Sequence, residues 1–430
     1  MMKFSLLALL ALSQAVSAQS AAPLTFGRYL DAVEANSLEL ASQRQDIVAA
    51  QAGVSVAGLR PDPSLTLGAG PREFSREVQP KPRTGASIGL EWTVETGGKR
   101  DKRVQAAQSN ARLSAATVDG FRSRLYAGAA AAFVEACRTR DVVLRQEASL
   151  QALSEVVRVN EVRRKAGDVG GLELLQSRTE RDRFLTGVLR ARADAQAALL
   201  HLSLPLGKHA DELFGTQPLD CDFADYAPDA DAGRLVRQAL QERDDVRIAR
   251  AALENAGANA GLARANRYVD PTLSVGYGYT PHGRRGVDGD GVPVDGAPRS
   301  NTLSLSVSMP IPVSRLQRGE LVQAESAVTQ AMLNLRQAEL AAETDVRVTS
   351  LQFAAARDSV QRYRSSVLTD AQKVLDGMRL SYRNGAASLL ELLAAQRAAD
   401  DTWLAYLQAQ ADFASAAVQL QLSIGQRPGL

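Results

Sequence analysis

Apolar positions along this chain follow two rhythms, and the change from one to the other marks out its architecture. Phe353, Ala356, Val360, Tyr363, Val367, Ala371, Val374 and Met378 recur at steps of three and four, the spacing of a seam between packed helices. Other segments alternate instead. Leu303, Leu305, Val307 and Met309 are separated by Ser304, Ser306 and Ser308, and Leu273, Val275, Tyr277 and Tyr279 by Ser274, Gly276 and Gly278. In the same way Ile88, Leu90, Trp92 and Val94 alternate with Gly89, Glu91, Thr93 and Glu95, and Leu65, Leu67 and Ala69 with Ser64, Thr66 and Gly68. A period of two is a strand with unlike faces, so strands are expected over about 64–70, 86–95, 272–280 and 300–309.

Around them the helices are very long. No proline interrupts the chain from Gly98 to Lys165, nor from Val313 to Gly385. At 1.5 Å per residue such a helix approaches roughly 100 Å, too long for a compact domain. Alanines recur along both stretches and let neighbouring helices approach closely, which predicts a laterally packed helical tube. The heptads alone would equally describe a filamentous coiled coil; the strands argue against it.

The pattern is written twice. Val104-Gln-Ala-Ala107 returns as Val322-Gln-Ala-Glu325, Gly167-Asp-Val-Gly-Gly-Leu-Glu-Leu-Leu175 as Gly385-Ala-Ala-Ser-Leu-Leu-Glu-Leu-Leu393, and Leu206-Gly207 as Ile424-Gly425, all at one offset. Upstream, Asp62-Pro-Ser-Leu65 and Asp270-Pro-Thr-Leu273 pair at a shorter offset, which calls for an insertion of about ten residues, expected in a loop. The repeated unit is larger than those of solenoids. The expected layout is a first repeat over 19–207, a connector over 208–231 rich in Asp and carrying Pro218 and Pro228, a second repeat over 232–425 and a tail over 426–430.

At the N-terminus Lys3 precedes the apolar run from Phe4 to Leu12, and Ala15-Val-Ser-Ala18 offers small residues for cleavage. This reads as a signal peptide over 1–18, since a membrane anchor needs about 20 apolar residues. No cysteine stands near the cleavage point, so no N-terminal lipid anchor is expected. Beyond it the longest uncharged apolar stretch, Leu125 to Val134, is closed by Arg124 and Glu135, which excludes membrane-spanning helices but not a strand barrel. The net charge of +2 and an aromatic share of 5% leave little to hold or stack a nucleic acid. Cys137 and Cys221 are too far apart in sequence to be paired or separated by spacing.

Each alternating segment sets an apolar face against a small or polar one, as a membrane strand does; hairpins capping a soluble helical body are the alternative. Four strands cannot close a barrel, because the smallest have about eight and open edges are not tolerated in lipid. Several chains must share one. Two would make a barrel whose interior fills with side chains, whereas three give twelve strands, wide enough for water.

With its duplicated halves, paired hairpins and the turn motifs Lys165-Ala-Gly167-Asp-Val-Gly-Gly-Leu-Glu-Leu-Leu175 and Tyr382-Arg-Asn-Gly385-Ala-Ala-Ser-Leu-Leu-Glu-Leu-Leu393, the chain resembles the TolC-like outer-membrane efflux factors over essentially its whole mature length. The resemblance implies a mainly α protein with a membrane β-barrel: a homotrimer forming a twelve-stranded barrel in the outer membrane of a Gram-negative bacterium, continued by a periplasmic α-helical tunnel. It implies a periplasmic adaptor and an inner-membrane RND pump as partners, with Lys165, Gly167, Asp168, Tyr382, Asn384 and Gly385 at the docking tip. The strand exit Trp92-Thr-Val-Glu-Thr-Gly-Gly-Lys-Arg100 is most similar to the branch serving cobalt, zinc and cadmium resistance pumps.

Glycines at 167 and 385 suit turns between long helices, and Gly97 and Gly98 a turn from strand to helix. Glu391 lies less than two helical turns beyond Gly385, where the resemblance places a gating acid, and Glu173 is its counterpart in the first repeat; three copies of either would form an anionic ring favouring cations. The family often carries a further acid where this chain has Ala394. As plain residues, either glutamate equally suits an exposed helix face. Enzyme readings fail: Gly97-Gly-Lys-Arg100 lacks the phosphate-loop frame, Asp288-Gly-Asp-Gly291 ends on Arg299 where a calcium loop needs Glu, and His201, His209 and His282 show no ligand spacing. A passive conduit needs no catalytic residue, metal or cofactor. A drug or secreted-protein exporter on the same fold, and a soluble periplasmic coiled-coil scaffold, are the alternatives.

Overall fold

Helix α3 alone, Lys99–Ala166, runs 68 residues and so spans roughly 100 Å, which sets the long axis of the molecule. The structure, a computed structural model, describes residues 22–70, 84–215, 217–223, 226, 231–283, 285–287, 290–296, 298–311 and 318–430. The signal segment, the loop from Pro71 to Arg83 and the first two residues of Asp288-Gly-Asp-Gly291 lie outside them. The first repeat contains α1 (Phe26–Asn36), α2 (Leu38–Ala57), β1 (Ser64–Ala69), β2 (Ala86–Thr93), α3, α4 (Gly171–His201) and α5 (Ser203–Leu206). A short α6 (Ala210–Phe214) opens the connector. The second repeat contains α7 (Ala232–Glu242), α8 (Asp244–Ala265), β3 (Thr272–Thr280), a small ribbon of β4 (Gly286–Val287) and β5 (Pro293–Val294), β6 (Ser300–Ser308), α9 (Arg318–Arg362), α10 (Leu368–Arg383) and α11 (Leu389–Ser423).

The strands sit at one end of α3 and the turn into α4 at the other. Near its start α3 is held to the end of α2 by Arg103, which donates to the carbonyls of Ala57 and Leu59, and further on to α8 by Arg112 with Glu254 and Ser123 with Asp244. Its last third meets α4 through Arg178 with Glu161 and α11 through Arg145 and Ser149, both bound to Asp400.

The main apolar core lies around the middle of α3. Phe133, Ala129, Tyr126 and Cys137 pack there with Phe26, Tyr29 and Leu30 of α1, with Leu206, and with Leu219 of the connector. Leu24 and Leu219 form a parallel bridge, a disulfide joins Cys137 to Cys221, and the tail returns here through Arg427, which pairs with Asp31. The repeated Leu-Gly and Ile-Gly pairs have a packing reason: a Cβ at Gly207 would stand 2.8 Å from the carbonyl oxygen of Asn36, and one at Gly425 2.7 Å from the carbonyl carbon of Glu242. Each glycine closes its repeat against the break between that repeat's first two helices.

The three-and-four seam needs one correction. Phe353 and Val360 are buried, but Val374 is 60% exposed and Leu375, at 1%, takes its place. Between α9 and α10 the chain makes a π-helical turn, Tyr363–Val367, which inserts one residue into the helix and shifts the buried position from Val374 to Leu375, while Met378 still packs against the same cluster. Leu375 and Tyr382 then continue the heptad.

Candidate functional site at the helix turns and the sheet

Two helical hairpins meet at the end far from the strands, and their turns are built alike. At the end of α3, Gly167 has φ +88°, its N–H donates to the carbonyl of Arg164 and that of Asp168 to Arg163. At the end of α10, Gly385 has φ +74°, its N–H donates to Tyr382 and that of Ala386 to Ser381. Both are the paired 6→1 and 5→2 closure that ends a helix on a left-handed residue. Lys165, Asp168 and Asn384 are exposed around these turns, together with Leu172 and Leu390.

Beyond the turns the hairpins differ. Ser388 caps α11 by accepting from the N–H of Glu391, while the Glu391 carboxylate accepts from the Ser388 N–H at 2.7 Å and from its hydroxyl at 2.9 Å. These donors hold the Glu391 carboxyl below the usual range. In α4 the cap is Gly170, with no side chain to give, and Glu173 turns instead to Tyr382 of the other hairpin, whose hydroxyl donates at 2.7 Å. Tyr382 also lies 2.7 Å from the Asn160 amide and has the Arg163 guanidinium 5.3 Å from its ring. Burial first, and the Glu173 hydrogen bond second, push its phenol up to about 12. Tyr382 is only 5% exposed and so belongs to the joint between the hairpins, unlike the exposed Lys165, Asp168 and Asn384 of the expected docking tip.

At the strand end, Gly97 and Gly98 turn the chain from β2 into α3 with φ of +64° and +67°. A Cβ on Gly97 would collide with the Tyr268 ring. Asp270, from the second repeat, accepts from the Thr96 N–H at 2.7 Å and pairs with Lys99 at 2.6 Å; although burial opposes it, these donors lower its carboxyl pKa. Glu95 pairs with both terminal nitrogens of Arg103, at 2.5 and 3.2 Å. The Gly-Gly-Lys-Arg sequence is therefore a structural neck, not a phosphate loop. Asp270 was visible only as part of a repeated Asp-Pro; nothing in spacing joined it to Lys99. Among the described residues no group of acids, histidines or cysteines is arranged to hold a metal ion.

Apart from the β4–β5 ribbon, the strands form one antiparallel sheet in the order β1-β2-β3-β6. Its register sorts the faces. Leu65, Leu90, Val275 and Leu305 form one row across it, and Leu67, Ile88, Tyr277 and Leu303 the next. The opposite face carries Ser64, Glu91, Ser274 and Ser306, then Thr66, Gly89, Gly276 and Ser304. The apolar rows are bare, with Leu67 72%, Leu303 78% and Leu305 75% exposed, and among the described residues no strand pairs with the outer edges of β1 and β6. No helix among the described residues is long and apolar enough to cross a membrane.

The family model described as outer membrane efflux protein matches residues 29–208 and 235–426, one segment in each repeat. The chain belongs to the outer membrane efflux protein family. It is an outer-membrane efflux channel and not an enzyme. It is 21% identical over 408 residues to the cobalt-zinc-cadmium resistance protein CzcC of Cupriavidus metallidurans, covering 95% of this chain and 91% of that one. Nodulation protein T of Rhizobium leguminosarum bv. trifolii is 21% identical over 395 residues, covering 90% and 82%. The crystal structure of the outer membrane protein VceC of Vibrio cholerae superposes with a TM-score of 0.74 at 19% identity, covering 93% of this chain and 96% of that one. These likenesses span both repeats of the efflux channel, its sheet and its helical hairpins.

Proposed function

We propose that three copies of this chain close one twelve-stranded barrel in the outer membrane, stack their helices into a periplasmic tunnel, and passively conduct heavy-metal cations delivered by a periplasmic adaptor and an inner-membrane RND pump. The observation that carries this reading is the sheet: four strands, an apolar face without cover, a Ser/Thr/Gly face opposite, and two open edges. Lipid covers the first face, water the second, and neighbouring copies the edges. Aromatics stand at both ends of the apolar face, Trp92 beside Leu273 near the neck and Tyr277 and Tyr279 towards the far end. At about 3.3 Å per residue these ends are roughly 20 Å apart along β3, about 15 Å across the membrane at a strand tilt of about 40°, and aromatics at both ends of an apolar face match the girdles of membrane barrels.

In that assembly the turns at Gly167 and Gly385 form the tunnel's inner tip. Lys165, Asp168 and Asn384 there face the adaptor, and Glu391 and Glu173 line the constriction. Passage needs no bound cofactor, since an ion held by tight ligands would not leave. The metal reading is supported by the cobalt-zinc-cadmium resistance relative and the matching strand exit. Deleting the gene should sensitise its host to zinc, cobalt or cadmium salts, and the wild-type chain should restore growth. Sensitivity confined to organic drugs would move the substrate to a drug exporter on the same fold.

A further inference from the structure

Glu91 is the only charged residue in the described strands. It projects on the Ser/Thr/Gly face, between Ser64 of β1 and Ser274 of β3, two positions up from Thr93, where β2 gives way to the neck. A carboxylate there has no packing task. It is exposed, and among the described residues no basic side chain pairs with it, whereas the acids just below are neutralised, Glu95 by Arg103 and Asp270 by Lys99.

We propose that Glu91 makes the barrel's helix-side mouth selective for cations, one copy from each of three chains forming an anionic ring that the permeating ion meets as it leaves the tunnel. The inference rests on the barrel reading above. Twelve strands about 4.8 Å apart and tilted by about 40° enclose a radius of about 12 Å, so three inward carboxylates stand roughly 13 Å from one another. That separation rules out joint ligation of one ion, whose bonds are about 2 to 2.6 Å. The ring acts through its field on any small cation, mono- or divalent, and sorts by charge and not by element. Its reach is the Debye length, about 10 Å at 0.1 M salt and about 3 Å at 1 M, so it bears on the whole lumen in dilute salt and only on its wall in concentrated salt. The serines around it, including Ser274 and Ser306 with hydroxyl oxygens 2.6 Å apart, keep that wall polar without opposing the charge.

The test is the reversal potential of single channels in planar bilayers under a potassium chloride gradient. At about 0.1 M, Glu91→Gln should lower the cation-to-anion permeability ratio roughly twofold or more and Glu91→Lys should lower it further, with both differences disappearing near 1 M. Both variants should conduct, because neither side chain is used to hold the sheet. Variants that conduct with the wild-type ratio in dilute salt would overturn the role of Glu91. A wild-type chain that forms no channels would overturn the barrel itself.

Discussion

Tyr382, near the end of α10, donates its hydroxyl hydrogen to the carboxylate of Glu173, near the start of α4, at 2.7 Å. The contact joins the hairpin of one repeat to that of the other. A single O–H cannot serve two acceptors, and the Asn160 oxygen is also 2.7 Å away while the Asn160 Nδ2 is buried without a partner. Turning that amide over satisfies both groups: Asn160 donates to Tyr382, and Tyr382 donates to Glu173. The joint is then a directed chain across three helices.

Tyr382→Phe removes the middle of that chain, leaves the Asn160 amide buried and unpaired, and releases Glu173. Stability should fall by about 1–3 kcal/mol, and single-channel conductance should rise as the hairpins loosen. Unchanged unfolding and unchanged conductance together would show that the joint holds nothing.

The same phenol gives a pH signature. Burial raises its pKa to about 12 against an unfolded value near 10, so the folded state retains a proton that the unfolded state loses. Its contribution is complete below about pH 10 and is lost as pH climbs towards 12. Ultraviolet titration should show a late-ionising phenol in the wild type that is missing from Tyr382→Phe.

Glu391 combines two roles that substitutions can separate. Glutamine can still complete a capping box, alanine cannot. Glu391→Gln should therefore stay closer to the wild type in thermal stability than Glu391→Ala does, yet weaken block by multivalent cations. Glu391→Ala should do that and also lower the melting temperature, because alanine cannot complete the capping box. Equal stability of the two variants would remove the cap, and unaltered block in both would remove Glu391 from the constriction.

Gly167 and Gly385 have open space where a Cβ would stand, so Gly→Ala at either should cost only the left-handed backbone, about 1–2 kcal/mol. At Gly207 the same change also drives a Cβ into the Asn36 backbone and should cost more. Melting temperatures of the three variants give the ordering directly.

Much of this molecule is legible in its sequence because its elements are long and periodic. The Leu/Ser alternation of Leu303 to Ser308 reports β6, and the proline-free stretch after Gly98 reports α3, since each signal depends only on neighbours along the chain. The π-helical turn was hidden: Tyr363 and Val367 fit the three-and-four spacing as well as their neighbours do, and only packing shows that Leu375 has replaced Val374. Contacts between repeats were hidden for the same reason. Asp270 with Lys99, Asp400 with Arg145 and Tyr382 with Glu173 join residues far apart in sequence, and no local spacing records them. The Ser388 cap is legible as Ser-Leu-Leu-Glu before an apolar run.

The Cys137–Cys221 bond closes a loop between residues 84 apart and ties the connector to the middle of α3. Chain entropy alone assigns such a closure roughly 4–5 kcal/mol. Cys137→Ser with Cys221→Ser should therefore melt at a lower temperature, with faster hydrogen exchange over 217–223. Identical exchange there would mean that Leu219 and its neighbours hold the connector unaided.

The most direct measurement is the mass of the membrane-extracted protein, taken with the conductance of the same preparation. Particles of three mature chains, each giving one discrete channel, are what a shared twelve-stranded barrel requires. A water-soluble single chain without conductance would contradict it and leave the strands as caps on a periplasmic helical scaffold.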